Sequence, residues 1–280
     1  MTTTTGRRAI LITGCSSGIG LDAARTLAAR GWRVFATCRK QEDCDRLSAE
    51  GLESFRLDYE DEGSATAAAA EALARNGGRL DALFNNGAYA IPGFIEDLPT
   101  DALRAIFEAN FFGWHALTRA VLPAMRTQGH GRIVQCSSVL GFSAVRWRGA
   151  YVATKFALEG YSDALRLELR GLPIHVSLIE PGPIATRFNP NALAQFERWI
   201  DPDASARRGE LAQIAARYRR GEAAPNRFEL PPAAVTRKLI HAVESPRPKA
   251  RYYVTTPTYV VAALKRLAPR AALDWLMARN

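Results

Sequence analysis

The sequence is poor in the residues that build cross-links and metal centres: its 280 residues include 4 cysteines, 4 histidines and 3 methionines. Cys15, Cys38, Cys44 and Cys136 show no C-x-x-C or zinc-type spacing, so reduced thiols are expected rather than a disulfide framework. His115, His130, His175 and His241 are scattered without paired carboxylate spacing, and no metal site is expected. No apolar run reaches the roughly 18–20 residues of a membrane-spanning helix, so stable membrane insertion is not expected either. The opening MTTTTGRR lacks an apolar core behind its basic residues and does not read as a secretion signal. A cytoplasmic location is the resulting expectation.

Acidic charge is scarce in one part of the chain only. Residues 1–186 carry 20 Lys+Arg and 20 Asp+Glu, whereas residues 187–280 carry 17 against 8 and account for the whole net charge of +9. An anionic substrate or a membrane surface would attract such an excess. The basic residues are dispersed and no aromatic-lined nucleic-acid motif accompanies them. This favours a solvated arginine-rich face and no nucleic-acid partner.

What is abundant is alternation. RAILITG, RVFATCR, LESFRLD, LDALFNNG, GRIVQCSS and IHVSLIEPG read as strands, and ARYYVTT as a last one. Amphipathic stretches of helical length separate them, including one long helix over TDALRAIFEANFFGWHALTRAVLPAMRTQG. Such alternation predicts an α/β fold: a three-layer, doubly wound (Rossmann-type) parallel sheet of about seven strands with helices on both faces. One domain spans 1–280. Residues 187–230 break the rhythm and are expected to form a helical insertion or lid, and 258–280 a helical tail interrupted at Pro269.

Two motifs point to chemistry. TGCSSGIG, Thr13 to Gly20, falls between the first strand and the first helix. Gly14, Gly18 and Gly20 allow a tight turn and close approach of backbone to a pyrophosphate, and the helix start offers free N–H groups to it. In AYVATKFALEG, Tyr151 and Lys155 are four residues apart and share a helical face. An ammonium beside a phenol favours the phenolate, which predicts a Tyr151 pKa below its usual value of about 10. Taken alone, such spacing more often marks an ordinary surface pair with the tyrosine half packed.

The glycine spacing is G-x-x-x-G-x-G. With NNGA at Asn85–Ala88, Asn110, the serines Ser137–Ser138, YVATK and PGPIAT at Pro181–Thr186, the chain resembles the short-chain dehydrogenase/reductase family. Its hydroxysteroid and retinol dehydrogenase branch is the nearest in pattern. The resemblance runs from Ala9 to Thr186 and more loosely beyond. It implies Tyr151 as acid/base, Lys155 as its partner and as a ligand of the nicotinamide ribose, and Ser138 as the group that bonds the substrate oxygen. It also implies Asn110 as the member that completes a proton relay. Ser137 is the lesser candidate, because neighbours on a strand face opposite ways.

For the cofactor the resemblance implies the turn residues Gly14, Ser16, Ser17, Gly18, Ile19 and Gly20. To these it adds Asp58, then Asn85, Asn86 and Gly87, and finally Pro181, Gly182, Ile184 and Thr186. The second strand ends in Arg39 and Lys40 without a carboxylate, which favours NADP(H), since a guanidinium suits a 2′-phosphate. NNGA departs from the family's NNAG and leaves the turn's backbone geometry open. The expected function is interconversion of an alcohol and its ketone or aldehyde on a small apolar substrate. That substrate would be accommodated by Ala90–Phe94, Leu140–Trp147 and the lid. The alternative is a catalytically idle cofactor-binding regulator of the same fold. A homo-dimer or homo-tetramer is expected through the helices near 100–127 and 149–170, where Phe112, Leu117, Phe156 and Leu165 serve either that contact or the sheet.

Overall fold

In the computed structural model of the protein, residues 7–219 and 227–278 are described. Strand β1 (Ala9–Ile12) is apolar and buried at every position, as befits a strand covered on both faces. It pairs in parallel with β2 (Arg33–Cys38) on one side and β4 (Ala82–Asn85) on the other, with Leu11 opposite both Phe35 and Leu83. Beyond them lie β3 (Glu53–Arg56), and then β5 (Gly131–Cys136), β6 (Ile174–Glu180) and β7 (Arg251–Tyr253). The order β3-β2-β1-β4-β5-β6-β7 is the doubly wound sheet that the alternation predicts. The chain winds outward in opposite directions from β1 and β4, so a crevice opens at their carboxyl ends.

Helices cover both faces. On one, α1 (Gly18–Ala29) packs against α9 (Ala233–Glu244); α2 (Gln41–Ala49) lies on β2 and β3. On the other, α3 (Glu62–Arg75) packs on α5 (Gly113–Gln128), and α4 (Thr100–Phe107) on α6 (Gly149–Glu168). The α5 helix ends at Gly129, whose φ of 75° supplies the left-handed cap.

The stretch expected as one long helix is interrupted. A five-residue π turn, Glu108–Phe112, separates α4 from α5. Single π turns inside α-helices widen the ladder locally and cluster at functional sites. This one turns Asn110 fully inward.

The expected lid is helical, with α7 (Phe188–Trp199) packed on α8 (Arg208–Arg219); its residues 220–226 lie outside the described residues. An isolated bridge between Ile184 and Leu230 ties its two ends together. The tail forms α10 (Thr256–Leu267) and α11 (Arg270–Met277), broken at Pro269 as expected. Leu117 and Leu165 belong to the core, whereas Phe112 and Phe156 face outward with 48% and 41% exposure. Among the described residues, no helix is long and apolar enough to cross a membrane.

Candidate active site

The β1–α1 turn is built for close backbone approach. Gly14 and Gly18 have φ of 69° and 57°, values that side-chain-bearing residues rarely adopt. A Cβ on Gly14 would lie 2.7 Å from the Cα of Gly87, and one on Gly18 would lie 3.0 Å from Thr186 Cγ2. Ser17 precedes α1 without a side-chain cap, so the first-turn N–H groups beginning with Gly18 and Ile19 stay available to an anion. Arg46 donates to the Ser16 carbonyl at 2.8 Å and steadies the turn from α2. A glycine cradle that any Cβ would fill, beside an uncapped helix start, fits a dinucleotide pyrophosphate.

Thr13 joins this turn to the end of β4. Its Oγ1 accepts from Asn86 N at 2.8 Å and Gly87 N at 3.3 Å, and the Tyr59 hydroxyl lies 2.6 Å away. Asn86 Nδ2 donates to the Thr13 carbonyl at 3.0 Å. The side chain of Asn85 faces the core. Its Oδ1 accepts from Tyr59 at 3.0 Å, and its Nδ2 donates to Thr118 at 3.3 Å and Gln135 at 3.0 Å. With no exposed surface and its polar atoms engaged, it is a bracket behind the crevice rather than a side-chain ligand within it.

The exchanged NNGA string has a steric reason. Gly87 is not in the left-handed region, yet a Cβ there would stand 3.1 Å from Tyr59 Cε2. Tyr59 also fills the space over Gly113, where a Cβ would lie 2.6 Å from its ring. A bulky residue after Asp58 therefore calls for glycine at 87.

Asp58 sits at the mouth after β3, accepting from Glu60 N at 3.2 Å, with Arg56 3.6 Å away. Arg39 and Lys40 lie exposed at the end of β2. Lys40 pairs with Glu42 at 3.0 Å, whereas the Arg39 guanidinium has no ion-pair partner among the described residues. Pro181 and Gly182 follow β6. Thr255 and Thr258, at the start of α10, press so closely on Gly182 that no Cβ fits.

Ser138, Tyr151, Lys155 and Asn110 converge where β5 ends. Lys155 is buried and donates to the Cys136 carbonyl at 2.8 Å, with its ammonium 4.3 Å from the centre of the Trp114 ring and 5.6 Å from that of Tyr151. Ser138 lies close enough to the Tyr151 phenol to lower its pKa, while its Oγ donates to the Pro181 carbonyl at 3.5 Å and accepts from Leu140 N at 3.1 Å. Ser137 faces the opposite way, toward Glu159, as strand alternation predicts. Asn110 commits its side chain to Tyr89, accepting from its N–H at 3.1 Å and donating to its carbonyl at 2.8 Å. It also donates to Thr154, whose hydroxyl donates in turn to the Tyr151 carbonyl at 2.8 Å.

The expected depression of the Tyr151 pKa is overturned in this state. Burial pushes the phenol well above its ordinary value and Cys136 adds to the rise; Ser138 and the Arg148 charge pull it down. The ammonium of Lys155 is engaged by Cys136 and Trp114 instead. Burial brings that ammonium down to about 8, against the upward pulls of Cys136 and Glu159.

On the substrate side, Gly93 N donates to the Trp147 carbonyl at 2.9 Å, joining the two segments expected to line an apolar pocket. Phe188 from the lid meets Tyr151 edge-on at 5.3 Å. Trp147 holds φ at 65°, an outlier for so large a residue and of the kind that marks functional sites. Arg148 lies 6.0 Å from the Phe188 ring and 5.6 Å from that of Tyr218. The sequence reading missed Trp114, Tyr59 and Arg148, since each acts through tertiary contact and none belongs to a motif.

His130 meets Asp81 at 2.7 Å just before β4 and β5 begin, at the opposite end of those strands from this site. Among the described residues no group of three His, Cys, Asp or Glu is placed to hold a metal ion.

A doubly wound parallel sheet with a glycine cradle at its switch point defines a dinucleotide-binding fold. The short chain dehydrogenase family matches over residues 8–196, and the chain belongs to it. It is 42% identical over 271 residues to the oxidoreductase YbbO of Escherichia coli K12, covering 97% of this chain and 94% of that one. It is 34% identical over 254 residues to human retinol dehydrogenase 8, covering 87% and 80%. Among solved structures it resembles an actinorhodin polyketide ketoreductase with NADPH, at 28% identity and a TM-score of 0.72, covering 91% and 97%.

Proposed function

We propose that the protein is an NADP(H)-dependent oxidoreductase that interconverts an alcohol and its ketone or aldehyde on a largely apolar substrate. The observation that carries this reading is the convergence of Ser138, Tyr151 and Lys155 beside the Gly14–Gly87 cradle. When bound, the nicotinamide ring supplies or accepts the hydride.

Ser138 donates its hydroxyl proton toward the substrate oxygen and orients it. Tyr151, beside Ser138, gives its phenolic proton to that oxygen in reduction and takes it back in oxidation. Lys155 is placed to bind the ribose hydroxyls once its ammonium leaves the Cys136 carbonyl. That movement brings positive charge toward Tyr151 and lowers a pKa that burial holds high. Asn110, fixed by Tyr89 and Thr154, shapes the path by which Lys155 is reprotonated. Arg39 takes the 2′-phosphate. The outward-facing Phe112 and Phe156 support association into a homo-dimer or homo-tetramer.

The test is NADPH oxidation against ketones and aldehydes of graded chain length. Tyr151→Phe should lose at least about 10²-fold in turnover with NADPH binding retained, and Arg39→Asp should reverse the preference for NADPH over NADH. Near-native turnover by Tyr151→Phe overturns the catalytic assignment. Equal affinity of the native protein for both dinucleotides overturns the cofactor assignment.

A further inference from the structure

Beneath the catalytic segments lies a group of acids that hydride and proton transfer leave unused. Glu180 closes β6, immediately before Pro181, and has no exposed surface. Glu159 lies on α6 one turn beyond Lys155, with 10% of its side chain exposed. Arg251, the first residue of β7, stands 3.2 Å from Glu159 Oε2 and 3.2 Å from Glu180 Oε1, and 2.7 Å from Asp163. The β5–β6 register ends with Cys136 opposite Ile179, which places Ser137 next to Glu180. A Cβ on Gly141 would lie 2.5 Å from Ser137 Oγ and 2.9 Å from Glu159 Oε1, so the serine hydroxyl and this carboxyl share one small space.

The donors fall short of the acceptors. Glu159 Oε1, both oxygens of Glu180 and Ser137 Oγ are buried without an aligned hydrogen bond among the described residues. Arg251 is shared among three carboxylates, and among the described residues only Asp163 has a second guanidinium, Arg166 at 2.7 Å. Two buried carboxylates with one shared cation cannot both remain charged at ordinary cost. A proton between them converts an acceptor–acceptor pair into a donor and an acceptor.

We propose that Glu159 and Glu180 share a single proton, and that this acid pair, locked by Arg251, is the positioning unit that holds Ser138, Lys155 and the Pro181–Gly182 loop in register. The inference rests on the roles given to Ser138 and Lys155 above. Each of its members belongs to or abuts one of those segments: Ser137 the end of β5, Glu159 the helix of Lys155, Glu180 the loop.

Burial pushes both acids up; Glu159 raises Glu180 further, to about 9, whereas Glu180 lowers Glu159, and Arg251 lowers both. The groups facing them are Arg251, Asp163, Lys155 and Tyr253, with Arg166 on Asp163 and Arg266 on Tyr253. A carboxyl raised in the folded chain contributes stability that is complete below its ordinary value of 4.5 and lost as pH climbs through about 9.

Infrared spectroscopy of the native protein at pH 7 should show a protonated carboxyl band that fades by pH 10 and is missing in Glu180→Gln. Because Lys155 titrates in the same range, melting temperatures of the native protein and Glu180→Gln are compared from pH 6 to 10. Their difference should move in favour of the variant as pH rises. Glu180→Ala should lower kcat by about 10- to 100-fold by displacing the groups it holds, with KM for the carbonyl changing far less. Glutamine at 180, which reproduces the neutral acid's donor and acceptor, should recover most of that loss. Absence of the carboxyl band, parallel melting profiles, or glutamine as damaging as alanine would each overturn the proposal. The infrared and melting measurements do not involve turnover, so they stand apart from the fate of the Tyr151 assignment.

Discussion

The ammonium of Lys155 stands 4.3 Å from the centre of the Trp114 ring, and the indole N–H of Trp114 donates to the Gly87 carbonyl at 3.0 Å. One tryptophan thus links the lysine to the cofactor turn. A cation over an aromatic face is stabilised in its charged form, so the ring opposes the burial that lowers Lys155 to about 8. Trp114→Leu should lower that value further, by roughly one unit at most. The alkaline limb of kcat/KM should move to lower pH by the same amount. Trp114→Phe keeps a weaker aromatic face and should shift it less. Superimposable limbs for all three proteins would remove the ring from any role in the site.

Gly87 and Tyr59 form a second testable pair. Gly87→Ala introduces a Cβ 3.1 Å from Tyr59 Cε2 without demanding a new backbone conformation. Overpacking of this kind costs about 1–3 kcal/mol. Tyr59→Val removes the ring but strands its partners Thr13 and Asn85, so it too should destabilise. If the glycine is there because the tyrosine is, the double variant should be more stable than the sum of the singles by about 1 kcal/mol. Strict additivity in denaturant titrations would refute the steric reason given for NNGA.

Much of this protein is legible in its sequence, and the boundary of that legibility is physical. Strand runs such as AILI announce themselves because a doubly covered strand is apolar throughout. The glycine turn and the Tyr151–Lys155 pair are visible because local geometry alone sets their spacing. The π turn at Asn110 is hidden, since one residue added to a helical turn barely disturbs a hydrophobic pattern. The direction of the Tyr151 pKa is hidden for another reason. It depends on burial, partly beneath Phe188 of the lid, and on a lysine whose ammonium turns to Cys136. Glu159, Glu180 and Arg251 lie on three different elements, and only the sheet order brings them together.

Arg148 acts on Tyr151 through space. Its charge is one of two influences that pull the phenol down against burial. Arg148→Gln should therefore raise the Tyr151 pKa. Alcohol oxidation, which needs the phenolate as base, should reach half its maximal rate at a higher pH and run slower near neutrality. Carbonyl reduction, which needs the phenol, should keep its rate to a higher pH. A shift of both profiles toward acid would contradict the assignment.

Lys155 sets stability against function. It is buried, and burial lowers its pKa from 10.5 to about 8. Below pH 8 the folded chain holds a charged amine that would be better solvated in the unfolded chain. For a lysine depressed in this way, the penalty is present at neutral pH and relieved as pH rises past 10.5. Lys155→Met retains the length and apolar stem without the charge, so it should stabilise the fold at pH 7 by about 1–3 kcal/mol. The lost bond to Cys136 and the lost contact with Trp114 keep the gain toward the lower end. The same variant should lose both turnover and cofactor affinity, because the ammonium serves ribose and phenol alike. The advantage over the native protein should shrink from pH 7 to pH 10.5 as native Lys155 sheds its proton. Chemical denaturation across that range, with cofactor titration at pH 7, checks both halves. A methionine variant that is less stable at pH 7 would show that the ammonium's contacts outweigh its burial, and one that turns over substrate at the native rate would remove Lys155 from the active site.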